Sequence, residues 1–465
     1  MSEKRQKKQR NLTSNANVES EALEVVMRGF EAQMAVSGQD NESLAVTEQQ
    51  LMEEMLDGEN LMQALERVMD NKGAAGIDGM TVYELPAYLA VHLKTICQEL
   101  LQGKYAPQAV KRVKIPKATG GMRQLGIPSV VDRFIQQALQ QVLQKHWDSQ
   151  FSQYSYGFRP GKSQHQAIKQ AQEYVCSGLR YVVDIDLEKF FDRVNHDILM
   201  GRVAKKVNDK RVLKLIRAFL NSGMFEDGLV KPTEEGVPQG GPLSPILSNL
   251  LLDDLDQELE KRGLRFVRYA DDCNVYVASK RAGERVMESI TKFLDKRLRL
   301  KVNEAKSAVG RPWERKFLGF TFTSQMNPRR RIAPAALLRV KEKIRAITTR
   351  KRGNTLEQII GELKSYLRGW LNYFGFCETP TPLRDLEQWL RRKLRCLIWK
   401  RWKRGTTRYK RLREMGLSHR QAQLGAGNGS RGPWRMSGSP PLHSALSIAY
   451  FRSLGLPELR CSVNA

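Results

Sequence analysis

The clearest regular pattern in the chain is helical. Residues 131–147 carry Val131, Phe134, Ile135, Ala138, Leu139, Val142, Leu143 and Trp147 on one stripe, which predicts a helix turned to a core. The same period recurs through Val212, Leu215, Ile216, Phe219 and Leu220, and over residues 284–300 through Val286, Ile290, Phe293, Leu294 and Leu298. Pro245 opens a further helix over Ile246 to Leu255, because proline suits a first helical turn. Beyond Arg329-Arg330-Arg331 the helices lengthen. One carries Leu356, Ile359, Ile360, Leu363, Leu367 and Leu371, and another Leu386, Trp389, Leu390, Leu394, Leu397 and Ile398.

Strand signals are shorter. Val110–Lys117 alternates apolar and basic residues before Gly120-Gly121, and Arg123-Gln124-Leu125-Gly126-Ile127-Pro128 follows. That reads as a hairpin with one cationic face, or as a solvated edge strand protected by lysines. Tyr181–Phe191 is an apolar strand pattern carrying Asp184 and Asp186, which strands avoid. Phe266–Val277 reads as strand, tight connection, strand, with Asp271 and Asp272 between the apolar runs. Residues 1–56 form a polar leader with the basic run Lys4–Arg10, expected to be flexible. Residues 405–465 are rich in Gly, Ser, Arg and Pro, with Trp434, Tyr450 and Phe451 as anchors of a small module.

Charge narrows the class of partner. Lys and Arg number 77 against 50 Asp and Glu, a formal net charge of +27. Such an excess favours a polyanion, with nucleic acid ahead of a membrane surface. No apolar run is long enough to span a bilayer. The six cysteines are scattered without a Cys-x-x-Cys pair, which suggests reduced cytosolic thiols and no zinc site. The second long helix sets Arg391, Arg392, Arg395 and Arg401 opposite its apolar stripe. Interleaved with tryptophan, these arginines point to contact with a nucleic-acid backbone.

The acidic residues carry the chemistry. An isolated Asp-Asp is usually a solvated turn, but a second acidic strand changes the weighing. Three carboxylates meeting at one point suit a hard divalent cation, and two such ions serve phosphoryl transfer. Spacing alone does not bring the strands together, and Asp184 competes with Asp186, two residues on along the same face. Gln239, in Val237-Pro238-Gln239-Gly240-Gly241-Pro242-Leu243-Ser244-Pro245, can hydrogen-bond a base or sugar edge, while its two glycines let backbone approach a ligand closely.

In this order these motifs resemble the group II intron-encoded reverse transcriptases and maturases of bacteria, in the class without an endonuclease domain. The basic hairpin with Arg123, Tyr156-Gly157-Phe158-Arg159-Pro160, the Asp186–Phe191 run, the Gln239 loop, Tyr269-Ala270-Asp271-Asp272, Lys306 and Phe317-Leu318-Gly319-Phe320 carry the likeness. Leu367–Phe374 resembles the maturase thumb, and Ser430–Pro440 the family's DNA-binding region.

The resemblance implies an α+β right-hand polymerase with fingers and palm at 57–325, a helical thumb at 330–400 and a small basic domain at 401–465. It implies that Asp186, Asp271 and Asp272 hold two Mg²⁺ ions, with Mn²⁺ as a substitute. Arg123 and Lys306 would neutralise an incoming triphosphate, Gln239 would contact the nucleotide, and Phe191 would gate its sugar. Phe317–Phe320 would position the primer terminus. Lys111, Arg112, Lys114 and Arg159 join the four helix arginines as nucleic-acid contacts. The implied partners are intron RNA, target DNA and dNTPs, in a cytoplasmic protein that joins the nucleoid when on DNA. A pure RNA-binding splicing factor would have lost the carboxylates, and a reverse transcriptase of phage defence would not need this thumb and basic tail.

Overall fold

The computed structural model describes residues 50–116, 121–226, 228–350, 353–427 and 432–461. The basic run Lys4–Arg10, Gly120 of the expected turn, and Ser430 and Arg431 lie outside the described residues. Two compact units emerge. The first takes the described residues up to Ala167 together with Val183–Val309, and the second Ile168–Val182 together with those from Gly310 onward.

The first unit mixes helices with two four-stranded sheets. Strands β1 (Val110–Pro116) and β2 (Met122–Ile127) form the expected antiparallel hairpin, with Lys114 opposite Gln124 and Arg112 opposite Gly126. β3 is Tyr181–Ile185, and β4 (Met224–Glu226) and β5 (Leu229–Lys231) extend the hairpin sheet in the order β2-β1-β4-β5. β6 (Arg265–Tyr269), β7 (Asp272–Val277) and β8 (Ala308–Gly310) complete the other sheet, ordered β6-β7-β3-β8. The two acidic strand signals thus become neighbours.

The helix Val130–Trp147 runs through this unit. Ser129 caps it, its hydroxyl accepting from the Asp132 amide, and its apolar stripe is buried as the spacing predicts. Its polar face is covered too. Asp132, Arg133, Gln136, Gln137 and Gln144 are also buried, which helical periodicity cannot foretell. The leader proves shorter than expected at its inner end. Leu51–Met55 is helical, with Met52 and Met55 fully buried, because three apolar residues at helical spacing find a core to join.

The second unit is mainly helical, with β9 (Phe320–Phe322) and β10 (Arg330–Ile332) paired antiparallel. Its start at Gly310 is earlier than the expected break near residue 325. The reason is aromatic packing. Phe320 meets the Tyr373, Phe374 and Phe376 rings at centroid distances of 5.7, 5.4 and 6.3 Å. The Tyr373 hydroxyl donates to the Leu318 carbonyl at 2.6 Å. Gly319 makes the bend at φ 81°.

Helices Pro334–Ile347, Leu356–Phe374 and Thr381–Arg401 pack through Val340, Ile344, Leu363, Leu367, Leu390 and Leu394. One tail expectation is corrected. Phe451 is a buried anchor, but Trp434 is 41% exposed. The buried tryptophan of this unit's described residues is Trp399, which packs with Met436 and Leu442 and donates to the Gly425 carbonyl at 3.1 Å.

Candidate active site

Strands β6 and β7 are joined by the two-residue turn Ala270-Asp271, with Tyr269 paired to Asp272. Ala270 sits at φ 57°, in the left-handed region that costs a residue with a Cβ roughly 1–2 kcal/mol. A buried network holds it there. The Arg268 guanidinium donates to both Asp256 carboxylate oxygens at 2.7 and 2.5 Å, to the Asn249 side-chain oxygen at 3.1 Å and to the Ala270 carbonyl at 3.0 Å. Arg268 and Asp256 are both fully buried. Burial works against the Arg268 charge, but the Asp256 carboxylate outweighs it and holds the guanidinium proton above its ordinary affinity.

The segment Tyr154–Gly157 runs beside β6. The Arg268 amide donates to the Tyr154 carbonyl at 3.0 Å, and the Tyr156 amide to the Arg268 carbonyl at 2.8 Å. Gly157 then lies flat on the catalytic turn. A Cβ there would come within 2.2 Å of the Ala270 nitrogen, and the Asn249 amide donates to the Gly157 carbonyl at 2.8 Å.

Arg159, expected on nucleic acid, has partners within the chain. Its guanidinium donates to the Asp148 carboxylate and carbonyl and to the Ser152 and Ser155 carbonyls, so it braces this loop. Sequence reading missed Arg268, Asp256 and Asn249. The available signal was a charged residue inside the apolar run Phe266-Val267-Arg268, which demands a buried partner.

Asp186 follows β3. Its amide donates to the Ser307 hydroxyl at 2.9 Å, its carbonyl accepts from the Asn303 amide at 2.8 Å, and its carboxylate accepts from Lys306 Nζ at 3.0 Å. Asp184 has a different partner, the Asn274 side-chain amide, which donates to it at 3.2 Å in the orientation that satisfies both groups. Asp271 is half-buried. Burial pushes its carboxyl above the ordinary range, its own backbone amide pulls down, the Asp186 charge pushes up again, and Arg123 and Lys306 pull down. Asp186, Asp271, Arg123 and Lys306 therefore share one electrostatic neighbourhood.

Three converging carboxylates were expected. Among the described residues no three His, Cys, Asp or Glu side chains are grouped to hold a metal ion. Asp271 lies in the turn, whereas Asp272 is the exposed first residue of β7, and like charges packed together need a countercharge. Lys306 supplies one to Asp186. Asp186 and Asp271 still fit a divalent cation, since both offer hard oxygen donors and their mutual repulsion is what such an ion relieves.

Beside the carboxylates opens a cavity of about 450 Å³, lined by Arg123, Leu125, Phe158, Phe191 and Gln239. Arg123 Nε donates to the Gln239 side-chain oxygen at 2.9 Å, and the Gly126 amide to the Gln239 carbonyl at 2.8 Å. The neighbouring Gly240 and Gly241 also line this cavity, and protein packs closely against both. A Cβ on Gly240, at φ 131°, would lie 2.5 Å from the Gly126 carbonyl oxygen, and one on Gly241 would lie 2.4 Å from the Gln136 side chain. Phe190 and Phe191 occupy a short 3₁₀ turn where a strand was expected. Phe190 is buried, its ring edge-on to Phe191 at 5.1 Å, while Phe191 lines the cavity.

The expected nucleic-acid contacts divide. Lys111 is exposed, but Arg112 and Lys114 both pair with Glu226, at 2.9 and 2.8 Å. Those cations, Lys114 first, pull the Glu226 carboxyl down to about 2. Arg391 and Arg395 are buried, against expectation. Arg391 pairs with Glu387, and Arg395 donates to the Leu446 carbonyl and lies 3.0 Å from His443. The short C-terminal helices cover that face of the long helix. Arg392 lies over the Trp434 ring at 4.5 Å, and Arg401 donates to the Asn354 carbonyl.

A hairpin turn that presents one carboxylate beside a second, under a loop that shapes a nucleotide-sized cavity, defines the palm of a template-directed polymerase. The comparisons agree. The family "Reverse transcriptase (RNA-dependent DNA polymerase)" matches residues 115–322, and "Group II intron, maturase-specific domain" matches residues 337–416. A reverse transcriptase domain followed by a maturase-specific domain fits a group II intron reverse transcriptase and maturase. It is similar to Protein YkfC of Escherichia coli, 39% identical over 46% of this chain and 58% of that one. It is also similar to the group II intron-encoded protein LtrA of Lactococcus lactis, 35% identical over 44% of this chain and 34% of LtrA. The chain thus spans less than two thirds of these curated relatives. A solved telomerase from Candida albicans shares 14% identity over 65% of each chain, at a TM-score of 0.40. No helix among the described residues is long and apolar enough to cross a membrane.

Proposed function

We propose that the protein copies RNA into DNA, binds its group II intron RNA to assist splicing, and reverse transcribes that RNA during retrohoming into target DNA. One observation supports this reading: Asp271 and Asp186 sit at the ends of the neighbouring strands β7 and β3, where Lys306 holds Asp186 at 3.0 Å and the Asp186, Arg123 and Lys306 charges all act on Asp271. Reverse transcriptases use divalent metal ions. Asp186 and Asp271, with Asp272 as a third ligand, would hold two Mg²⁺ ions, for which Mn²⁺ substitutes. Such ions, when bound, supply charge neutralisation and hydroxyl activation for phosphoryl transfer.

The chain's own residues do the rest. Arg123 binds the triphosphate of a dNTP, and Lys306 leaves Asp186 to join it. Gln239 holds the nucleotide's edge, and the Phe191 ring stands where a 2′-hydroxyl would go. Phe317–Phe320 holds the primer terminus. The separate tie of Asp184 to Asn274 supports Asp186 as the ligand. Exposed Lys111, together with Lys400, Lys403 and Arg404 beyond the buried arginines, carries backbone contact with RNA or DNA.

The test is primer extension on an RNA template with dNTPs and Mg²⁺, beside a splicing assay on the intron RNA. Asp271→Asn removes one ligand and should abolish extension while RNA binding persists. Wild-type rates in that variant would sink the assignment. An unaltered protein that speeds splicing but makes no DNA would establish the splicing factor instead.

A further inference from the structure

Phe158 is out of place for an ordinary loop residue. It is 46% exposed and sits at φ 59°, a left-handed conformation that persists in a non-glycine residue only where its surroundings impose it. Both neighbours are pinned: Gly157 lies on the Ala270 turn, and Arg159 makes its bonds to Asp148, Ser152 and Ser155. A large apolar ring is thus held rigidly toward solvent, where nothing in the core calls for it.

The ring borders two cavities. One is the cavity with Arg123, Phe191 and Gln239. The other, about 560 Å³, is lined by Gln140, Gln141, Gln144, Arg67, Lys145 and Phe158. Its glutamines form a ladder along the helix Val130–Trp147. Gln137 donates to Gln140 and Gln141 at 3.0 and 3.1 Å, Gln140 to Gln144 at 3.3 Å, and Gln144 to Asp148 at 2.7 Å. Asp148, paired with Arg159, also lines it, and Lys145 is paired with Glu54, so the amides, Arg67 and one exposed ring are what would meet a strand with flat bases, polar sugars and charged phosphates.

We infer that this second cavity binds the unpaired template nucleotide just beyond the templating position, and that its base stacks on Phe158. The inference rests on the polymerase reading. Phe158 would then mark where the paired template ends and the single strand begins, with Arg67 facing its phosphates.

The experiment measures the Kd of the full chain for an RNA template annealed to a DNA primer, with an intact or an abasic nucleotide at that position. On the unaltered protein, loss of the base should weaken binding about tenfold, the worth of one base on one aromatic ring. Phe158→Ala should bind both templates alike, and Phe158→Trp should restore the difference. Equal affinities for the two templates on the unaltered protein would overturn the proposal, as would a penalty confined to the templating position. These readings need no variant to fold. If the protein extends intact templates yet shows no penalty, only this inference fails; if it extends nothing, the polymerase reading fails first.

Discussion

Arg268→Met offers the most searching test of how the active-site turn is held. The substitution leaves the Asp256 carboxylate fully buried with its partner gone, and strips the Ala270 carbonyl of its 3.0 Å donor. Breaking a buried ion pair from one side costs roughly 3–5 kcal/mol. At about 2–4 °C per kcal/mol for a unit of this size, the melting temperature should fall by on the order of 10 °C. The deficit should depend on pH, because Asp256 would keep its desolvation without a countercharge and its folded pKa would rise well above the unfolded value. A raised carboxyl contributes stability below the unfolded pKa and loses it as pH rises through the folded one. Denaturant unfolding should therefore show a smaller deficit near pH 5 than near pH 8.

Pairing Arg268→Met with Asp256→Leu separates stability from function. Replacing a buried ion pair by apolar side chains of similar volume is often neutral or stabilising. The double variant should recover most of its melting temperature, yet extension should stay down by about 100-fold, the usual effect of a misplaced reacting group. Melting and single-nucleotide extension on the same preparations decide the matter. A single variant as stable as the unaltered protein, or a double variant with full extension, would refute the account.

Four further outcomes are expected. Phe191→Ala should raise ribonucleotide relative to deoxynucleotide insertion, while Phe190→Ala, in the core, should cost roughly 3–5 kcal/mol in unfolding experiments; an unchanged insertion ratio in active Phe191→Ala protein would move the sugar gate elsewhere. Gly157→Ala should lower extension and melting temperature together, since its Cβ would lie 2.2 Å from the Ala270 nitrogen, and unaltered values for both would show that the turn yields freely. Arg395→Gln should destabilise by about 1–3 kcal/mol through an unsatisfied Leu446 carbonyl. Arg404→Gln, on an exposed side chain, should leave melting alone and flatten the salt dependence of RNA binding, measured as the slope of log affinity against log salt.

Much of the architecture was legible along the chain because it is local. A helical stripe, a proline at a helix start and an apolar run broken by Asp-Asp each specify an element from neighbouring residues alone, and Val130–Trp147, Ser244–Lys261 and the β6–β7 hairpin formed as their spacing predicts. The motif residues Asp186, Asp271, Arg123, Gln239 and Lys306 could likewise be picked out singly. What they meet depends on partners far along the chain, and only tertiary structure decided that.

Nothing local distinguishes Arg395 from Arg404 on a cationic helix. The difference arises because residues about 50 positions further on cover one and not the other. Nor does spacing reveal that Gly157 lies under Ala270, or that Asp256 reaches Arg268 across two elements. Such contacts form between faces that the fold brings together. A buried charge therefore announces in the sequence that it needs a partner, and leaves the partner's identity to the packing.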